Sequence, residues 1–266
     1  MKNFLVAYLD VLGGKAIIRK SPEEFFANCV ELFQNFPQKI DTALGNFKNY
    51  NILRKTFSDN ICIAMKIQEG KDSFASYCNF FDYVGGLQKY ALVQFGWILR
   101  GGISLGDIHL SEDIVSGTPL IEAVEIEENV SIYPRIVLGQ SIQKEIDIHR
   151  LNKLCKLCCL QSDHDGNFFI DYIGRTVFFI KNEKDLCRKK ALADVLTRIA
   201  AWISYRIEEN SSEMRILAKW LWLLSYFNDR LKDDFPHLVC FWDPCKKKIS
   251  CSDLLVDEIK LLLDDK

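Results

Sequence analysis

The sequence predicts an α+β fold: a mixed antiparallel sheet with helices on one face, followed by a mainly helical C-terminal extension. Three observations predict it. Through the first half, short apolar runs alternate with longer helical stretches in the order β-α-β-β-α-β-α-β. Two of these runs are separated only by Ser58-Asp59-Asn60, a tight-turn sequence that forces an antiparallel hairpin into the sheet. Beyond about residue 148 the pattern changes to long amphipathic helices.

Each element has a local reason. Phe4 to Leu9 is a short, mostly apolar run that ends in Asp10 and then Gly13-Gly14, a buried strand carrying an acid to its tip. Ser21-Pro22-Glu23-Glu24 supplies an N-cap, a proline at the first helical position and early acids. A helix begins there, carries Phe25, Phe26, Val30, Leu32 and Phe33 inward, and is kinked or ended at Pro37. Asn51 to Phe57 and Ile61 to Met65 form the hairpin with Asp59 at its tip. A helix over 74–93, a strand over 97–106, a helix over 119–129 and a strand over 135–138 follow. Next comes a Cys-rich stretch with two β-like runs, Phe168 to Asp171 and Thr176 to Ile180. Leu186 to Ile207 and Met214 to Phe227 are amphipathic helices broken at Glu209-Asn210-Ser211-Ser212. No Gly/Ser/Pro linker separates the halves, so residues 1–148 read as one domain and 149–266 as an extension packed on it.

Composition narrows the function classes. The 266 residues are 48% apolar and 12% aromatic, enough to build a core without disulfides or a structural metal. Lys and Arg (34) nearly balance Asp and Glu (36), so no global basic field gathers nucleic acid or anionic lipid, and an anionic ligand must be held locally. The opening MKNFLVAYLDVLGGK is broken by Asp10 and lacks a small-residue cleavage site, unlike a signal peptide. No run approaches the ~20 uninterrupted apolar residues that span a bilayer. Ten cysteines without an export signal read as reduced thiols in a cytoplasmic protein.

The chemistry-bearing pair is Asp10 and Asp59, both at the tips of neighbouring strands. Two carboxylates meeting at one sheet edge are hard oxygen ligands suited to Mg²⁺ or Mn²⁺, and through metal to nucleotide phosphates. The alternative is that Asp59 only caps a turn and Asp10 only ends a strand.

Five segments, in order, extend the reading. LDVLGGK, RKTFSDNICIAM, RGGISLGDI, SGTPLIEAVEIEENV and PRIVLGQSI, spread over residues 4–145, resemble the class III nucleotide cyclase homology domain. They resemble its first metal-binding loop, its hairpin with the second metal-binding acid, its RxGIxxGxV strand, its Gly-led helix and the strand-to-helix segment after it. The resemblance implies a ferredoxin-like palm fold and two Mg²⁺ or Mn²⁺ ions held by Asp10, Asp59 and the backbone carbonyl of Val11. It also implies a homodimer with each site at the interface, in which a nucleotide's 3′-hydroxyl attacks its own α-phosphate and releases pyrophosphate.

The departures matter equally. In the purine cyclases the Gly-led helix supplies an Asn and, four residues later, an Arg; by register those positions are Ile121 and Glu125 here. Either another cation substitutes, with Arg135 and Lys219 the candidates, or the chain is a degenerate cyclase that senses a nucleotide or a partner. A cation in an apolar setting is expensive unless paired or facing a ligand, so Arg135 also reads as a structural ion pair and Lys219 as a snorkelling lysine. The family's base-reading positions fall at Lys55 and, one residue out of register, near Asp113; Arg54 and Tyr50 lie close by. A Lys–Asp pair could read adenine, as in an adenylyl cyclase. The short chain, RGGIS and YPRI look closer to the bacterial pyrimidine cyclases of Pycsar anti-phage systems, which make cyclic CMP or cyclic UMP for a separate effector. A palm-fold nucleotidyltransferase making oligonucleotides is a further alternative.

Other features have bland readings. The CxxC at Cys155 and Cys158, near Asp163, His164 and Asp165, lacks a second ligand pair at zinc-site spacing, so buried thiols are the default. Trp220, Trp222, Tyr226 and Phe227 read as core or interface, and Lys246-Lys247-Lys248 as a solvated turn.

Overall fold

The computed structural model of the chain describes residues 3–44, 52–68, 73–110 and 114–251. The chain divides into two units, Met1–Tyr172 and Ile173–Lys266.

In the first unit the apolar run predicted for the N-terminus forms β1 (Phe4–Val11). Leu5, Ala7 and Leu9 are fully buried, and each leucine removed from water in this way contributes roughly 2 kcal/mol. The hairpin follows as β2 (Ile52–Phe57) and β3 (Asn60–Lys66). With β4 (Leu99–Gly106), β7 (Ile136–Leu138), β8 (Leu160–Ser162) and β9 (Phe168–Ile170) it completes a seven-stranded sheet in the order β2-β3-β1-β4-β7-β9-β8. Among the described residues of this sheet only the β4–β7 pair is parallel. A separate small ribbon pairs β5 (His109–Leu110) with β6 (Val115–Ser116).

The fold is the expected α+β class, with one difference in the helices. Register pairs Tyr8 with Cys62 and Gly102, and Asp10 with Asn60 and Arg100, so these residues share one face. A Cβ on Gly102 would strike Ala123 O at 2.5 Å and Ile126 Cβ at 2.7 Å, which places α4 (Thr118–Asn129) on that face. Continuing the register through Val137 and Phe169 puts Ile170 on the other face, where a Cβ on Gly85 of α3 (Ser73–Phe95) would meet it at 2.9 Å. Helices therefore cover both faces rather than one, because the glycine at 102 lets α4 lie directly on the strand. α2 (Pro22–Leu44) packs on α3 and continues past Pro37, so that proline does not end it.

The sheet also takes in β8 and β9, which carries the first unit beyond the expected boundary at 148 to Tyr172. α1 (Gly14–Lys20), α5 (Gln140–Glu145) and α6 (Ile148–Lys156) complete it.

The run Thr176 to Ile180, read as β-like, is helical in α7 (Tyr172–Asn182). Its buried residues Ile173, Val177 and Ile180 recur at helical spacing, and this outweighs the β-branched and aromatic composition. In the second unit α8 (Leu186–Glu209) packs against α9 (Met214–Leu231) through apolar stripes that include Ile199, Ile203, Trp220 and Phe227. The buried Tyr226 of α9 accepts a hydrogen bond at its hydroxyl from Ile173 N, 3.1 Å. After a 3-10 turn at Pro236–Leu238 comes the hairpin β10 (Phe241–Asp243) and β11 (Lys248–Ser250).

Candidate functional site

β1 and the β2–β3 turn bring Asp10 and Asp59 to the same end of the sheet. Asp10 stands opposite Asn60 in register, and Val11 N donates to Asp59 O at 3.0 Å, tying the turn to the end of β1. Asp59 is 4% exposed. Its side chain packs against the start of α1, where a Cβ on Gly14 would meet Asp59 Cβ at 2.5 Å. Gly13, at φ +82°, makes the left-handed turn that glycine accepts most readily, which brings α1 this close.

The third member is Arg100, which sequence reasoning did not single out. Register places it beside Asp10, and its Nε donates to Asp10 Oδ2 at 3.1 Å. Its Nη2 pairs with the buried Glu127 of α4, and its Nη1 donates to Glu127 O at 3.1 Å. The available signal was an arginine at the start of a strand, followed by two glycines.

The cluster is electrostatically tight. Burial raises the Asp10 pKa above the usual carboxylate value; Arg100 opposes this, while the negative charge of Asp59 adds to it. Glu127 is also raised, first by burial and also by Asp10, against the pull of Arg100. Burial, then Glu127, Asp10 and Asp59, raise the neighbouring Tyr8 phenol. Asp10, Asp59 and Glu127 thus share one sheet end, with the Arg100 guanidinium set among them.

This donor set fits a hard divalent cation. Mg²⁺ binds through one or two carboxylates and keeps its other positions for water and substrate phosphates, so it needs no all-protein cage. Among the described residues no group of three or more His, Cys, Asp or Glu could hold an ion, at the Cys155–Cys158 segment or elsewhere.

The other expected site residues separate. Arg54 pairs with Ile63 and so faces away from Asp10; its Nη1 donates to Tyr83 of α3 at 3.4 Å. Lys55 pairs with Cys62 and lies on the Asp10 face. Tyr50 and Asp113 lie outside the described residues. Arg135 does not face a ligand: it is 4% exposed and its guanidinium is taken by Asp163, Asp165 and Val130 O, so the structural ion pair is the correct reading. The pairing holds Asp165 well below the usual carboxylate range, with the Arg135 hydrogen bond the largest cause. Lys219 sits half-buried on α9 in the second unit. Ile121 and Glu125 are exposed on α4. No helix among the described residues is long and apolar enough to cross a membrane.

No protein-family model and no curated protein matches the chain. Among solved structures it is similar to the adenylyl cyclase CyaB from P. aeruginosa, with 12% identity over 64% of this chain and 93% of that one and a TM-score of 0.42. It is also similar to a class III adenylyl cyclase-like ATP-binding protein from Pseudomonas aeruginosa. There the identity is 13% over 67% of this chain and 40% of that one, with a TM-score of 0.43.

Proposed function

We propose that the chain is a cytoplasmic, metal-dependent nucleotidyl cyclase. It converts CTP or UTP to the 3′,5′-cyclic mononucleotide and pyrophosphate, as a second messenger for a separate effector in anti-phage defence. The observation that carries this reading is the placement of Asp10 and Asp59 at one sheet end beside Arg100, within five segments that resemble the class III cyclases. Divalent ions held by Asp10, Asp59 and the Val11 carbonyl would lower the pKa of the 3′-hydroxyl and neutralise the departing pyrophosphate. Arg100 is near enough to Asp10 to offer its guanidinium to a phosphate oxygen, while Glu127 fixes its position. Lys55, on the same face, donates to a pyrimidine carbonyl.

The site is completed by a second copy of the chain. Leu53 (36% exposed) and Phe57 (55%) are on the Asp10 face of β2, and Ile121 (60%) is on the helix that covers that face. Such apolar exposure bordering a charged site suits a homodimer interface. One observation favours a second reading, a degenerate cyclase-like module that binds a nucleotide without turning it over: the helix expected to supply transition-state polar groups presents Ile121 and Glu125.

Incubating the purified chain with each of the four NTPs and Mn²⁺, then identifying products by mass, tests both. Cyclic CMP or cyclic UMP is the expected product. Binding without product establishes the degenerate module, and a linear or longer product would overturn both.

A further inference from the structure

The second unit holds a feature that the proposed chemistry does not use. Cys240 immediately precedes β10 and Cys251 immediately follows β11. The hairpin register runs Asp243 with Lys248, Trp242 with Ile249 and Phe241 with Ser250, so the next facing positions are 240 and 251. The two thiols lie within hydrogen-bonding reach of each other. Facing cross-strand residues hold their Cβ atoms about 4.5–5.5 Å apart, and a disulfide requires about 3.5–4.5 Å, so a small closure joins them.

We propose that Cys240 and Cys251 form a reversible, redox-sensitive disulfide that closes the β10–β11 hairpin. The surroundings divide the two roles. Cys240 is 1% exposed, donates from Sγ to Leu238 O (3.4 Å) and receives the Ser204 hydroxyl at 3.8 Å. Its backbone is clamped by Asn228, which donates from Nδ2 to Cys240 O at 2.7 Å and accepts from Cys240 N at 3.2 Å. Burial pushes this thiol up to about 12, which shields it from direct oxidation. Cys251 is only partly buried and meets the oxidant first.

With hydrogen peroxide as oxidant, the Cys251 thiolate attacks one peroxide oxygen, forms a sulfenic acid and releases hydroxide, which takes up a proton to become water. Cys240 then loses its proton, attacks that sulfur and expels the sulfenic oxygen as a second water. Two thiols and one peroxide become one disulfide and two waters. Cys245, at the turn, is separated from this pair by the three cross-strand pairs, roughly 10 Å at the rise of a strand, and cannot substitute.

The test treats the full chain with peroxide, blocks remaining thiols, digests without reductant and maps linked peptides by mass. The expected result is a Cys240–Cys251 link that dithiothreitol removes, with the oxidised chain melting roughly 5 °C above the reduced one. The link and the shift persist in Cys245→Ser and vanish in Cys251→Ser. A link through Cys245, a link only between two chains, or Cys251 oxidised to sulfinic acid while Cys240 stays a thiol would overturn the proposal. The mapping uses the native sequence, so it stands even where a variant folds poorly.

Discussion

At the scale of single residues, the site is a balance of burial against charge. Asp10 is more basic in the folded chain than in the unfolded chain, so the metal-free fold binds its proton more tightly. Its ionised form therefore works against folding, and the penalty develops as pH rises from the unfolded value through the folded one. Asp10→Asn removes the penalty. Without added metal it melts no lower than wild type at pH 7 by thermal scanning, while product formation falls at least roughly 100-fold. Arg100→Ala behaves differently, because it leaves Glu127 buried without its cation. That variant loses both stability and substrate affinity, seen as a lower Tm and a raised KM. Gly14→Ala is the small-residue counterpart. Its new methyl collides with Asp59 Cβ, so activity falls without any change to either carboxylate.

The placement of Asp10 at a strand end and of Asp59 in a hairpin turn was legible in the sequence because a strand that ends in an acid and a Ser-Asp-Asn turn are local patterns. Arg100 was not. Its pairing with Asp10 depends on which residue of β4 stands opposite residue 10 of β1, and strand register across 90 residues leaves no local mark. The ion pair of Arg135 was an open reading of the sequence, but its partners Asp163 and Asp165 lie in a turn some 30 residues away and could not be named from it.

At the scale of elements, two contacts tie neighbouring parts of the first unit together. The first is the Arg135 clamp, which joins the end of the loop before β7 to the β8–β9 turn. Arg135→Ala leaves the half-buried Asp163 without its cation and destabilises the fold by about 1–3 kcal/mol in chemical denaturation. The folded-state pKa of Asp165 is lowered, so its contribution is fully present above the unfolded carboxylate value near 4 and is lost as pH falls below it. Stability measured between about pH 4 and pH 2 should fall more steeply in wild type than in Arg135→Ala. The second contact is the bare backbone at Gly102. Gly102→Ala drives a methyl into Ala123 O and lifts α4, with a loss of about 1–3 kcal/mol.

Element types were largely readable from composition and spacing, as the bounds of β1, α3, α4, α8 and α9 show. The misreadings have physical causes. Thr176 to Ile180 carries strand-favouring residues on a helical period, and α2 continues past Pro37 rather than ending there. The face taken by α4 depends on a glycine's missing side chain rather than on any pattern in the helix itself.

At the scale of the whole molecule, the account requires two copies of the chain around each site. Phe57→Glu and Ile121→Glu place charge on the apolar positions of the Asp10 face. Each variant is expected to sediment as a monomer where wild type is a dimer, with at least a roughly 10-fold loss of product formation and an unchanged circular dichroism spectrum. A monomeric wild type with full activity would remove the second copy from the mechanism and leave the carboxylate pair untouched. The most direct measurement compares wild type, Asp10→Ala and Asp59→Ala for cyclic CMP and cyclic UMP formed from CTP and UTP with Mn²⁺. The account predicts product from wild type alone, with both variants folded and inert; wild-type rates in both variants would contradict it.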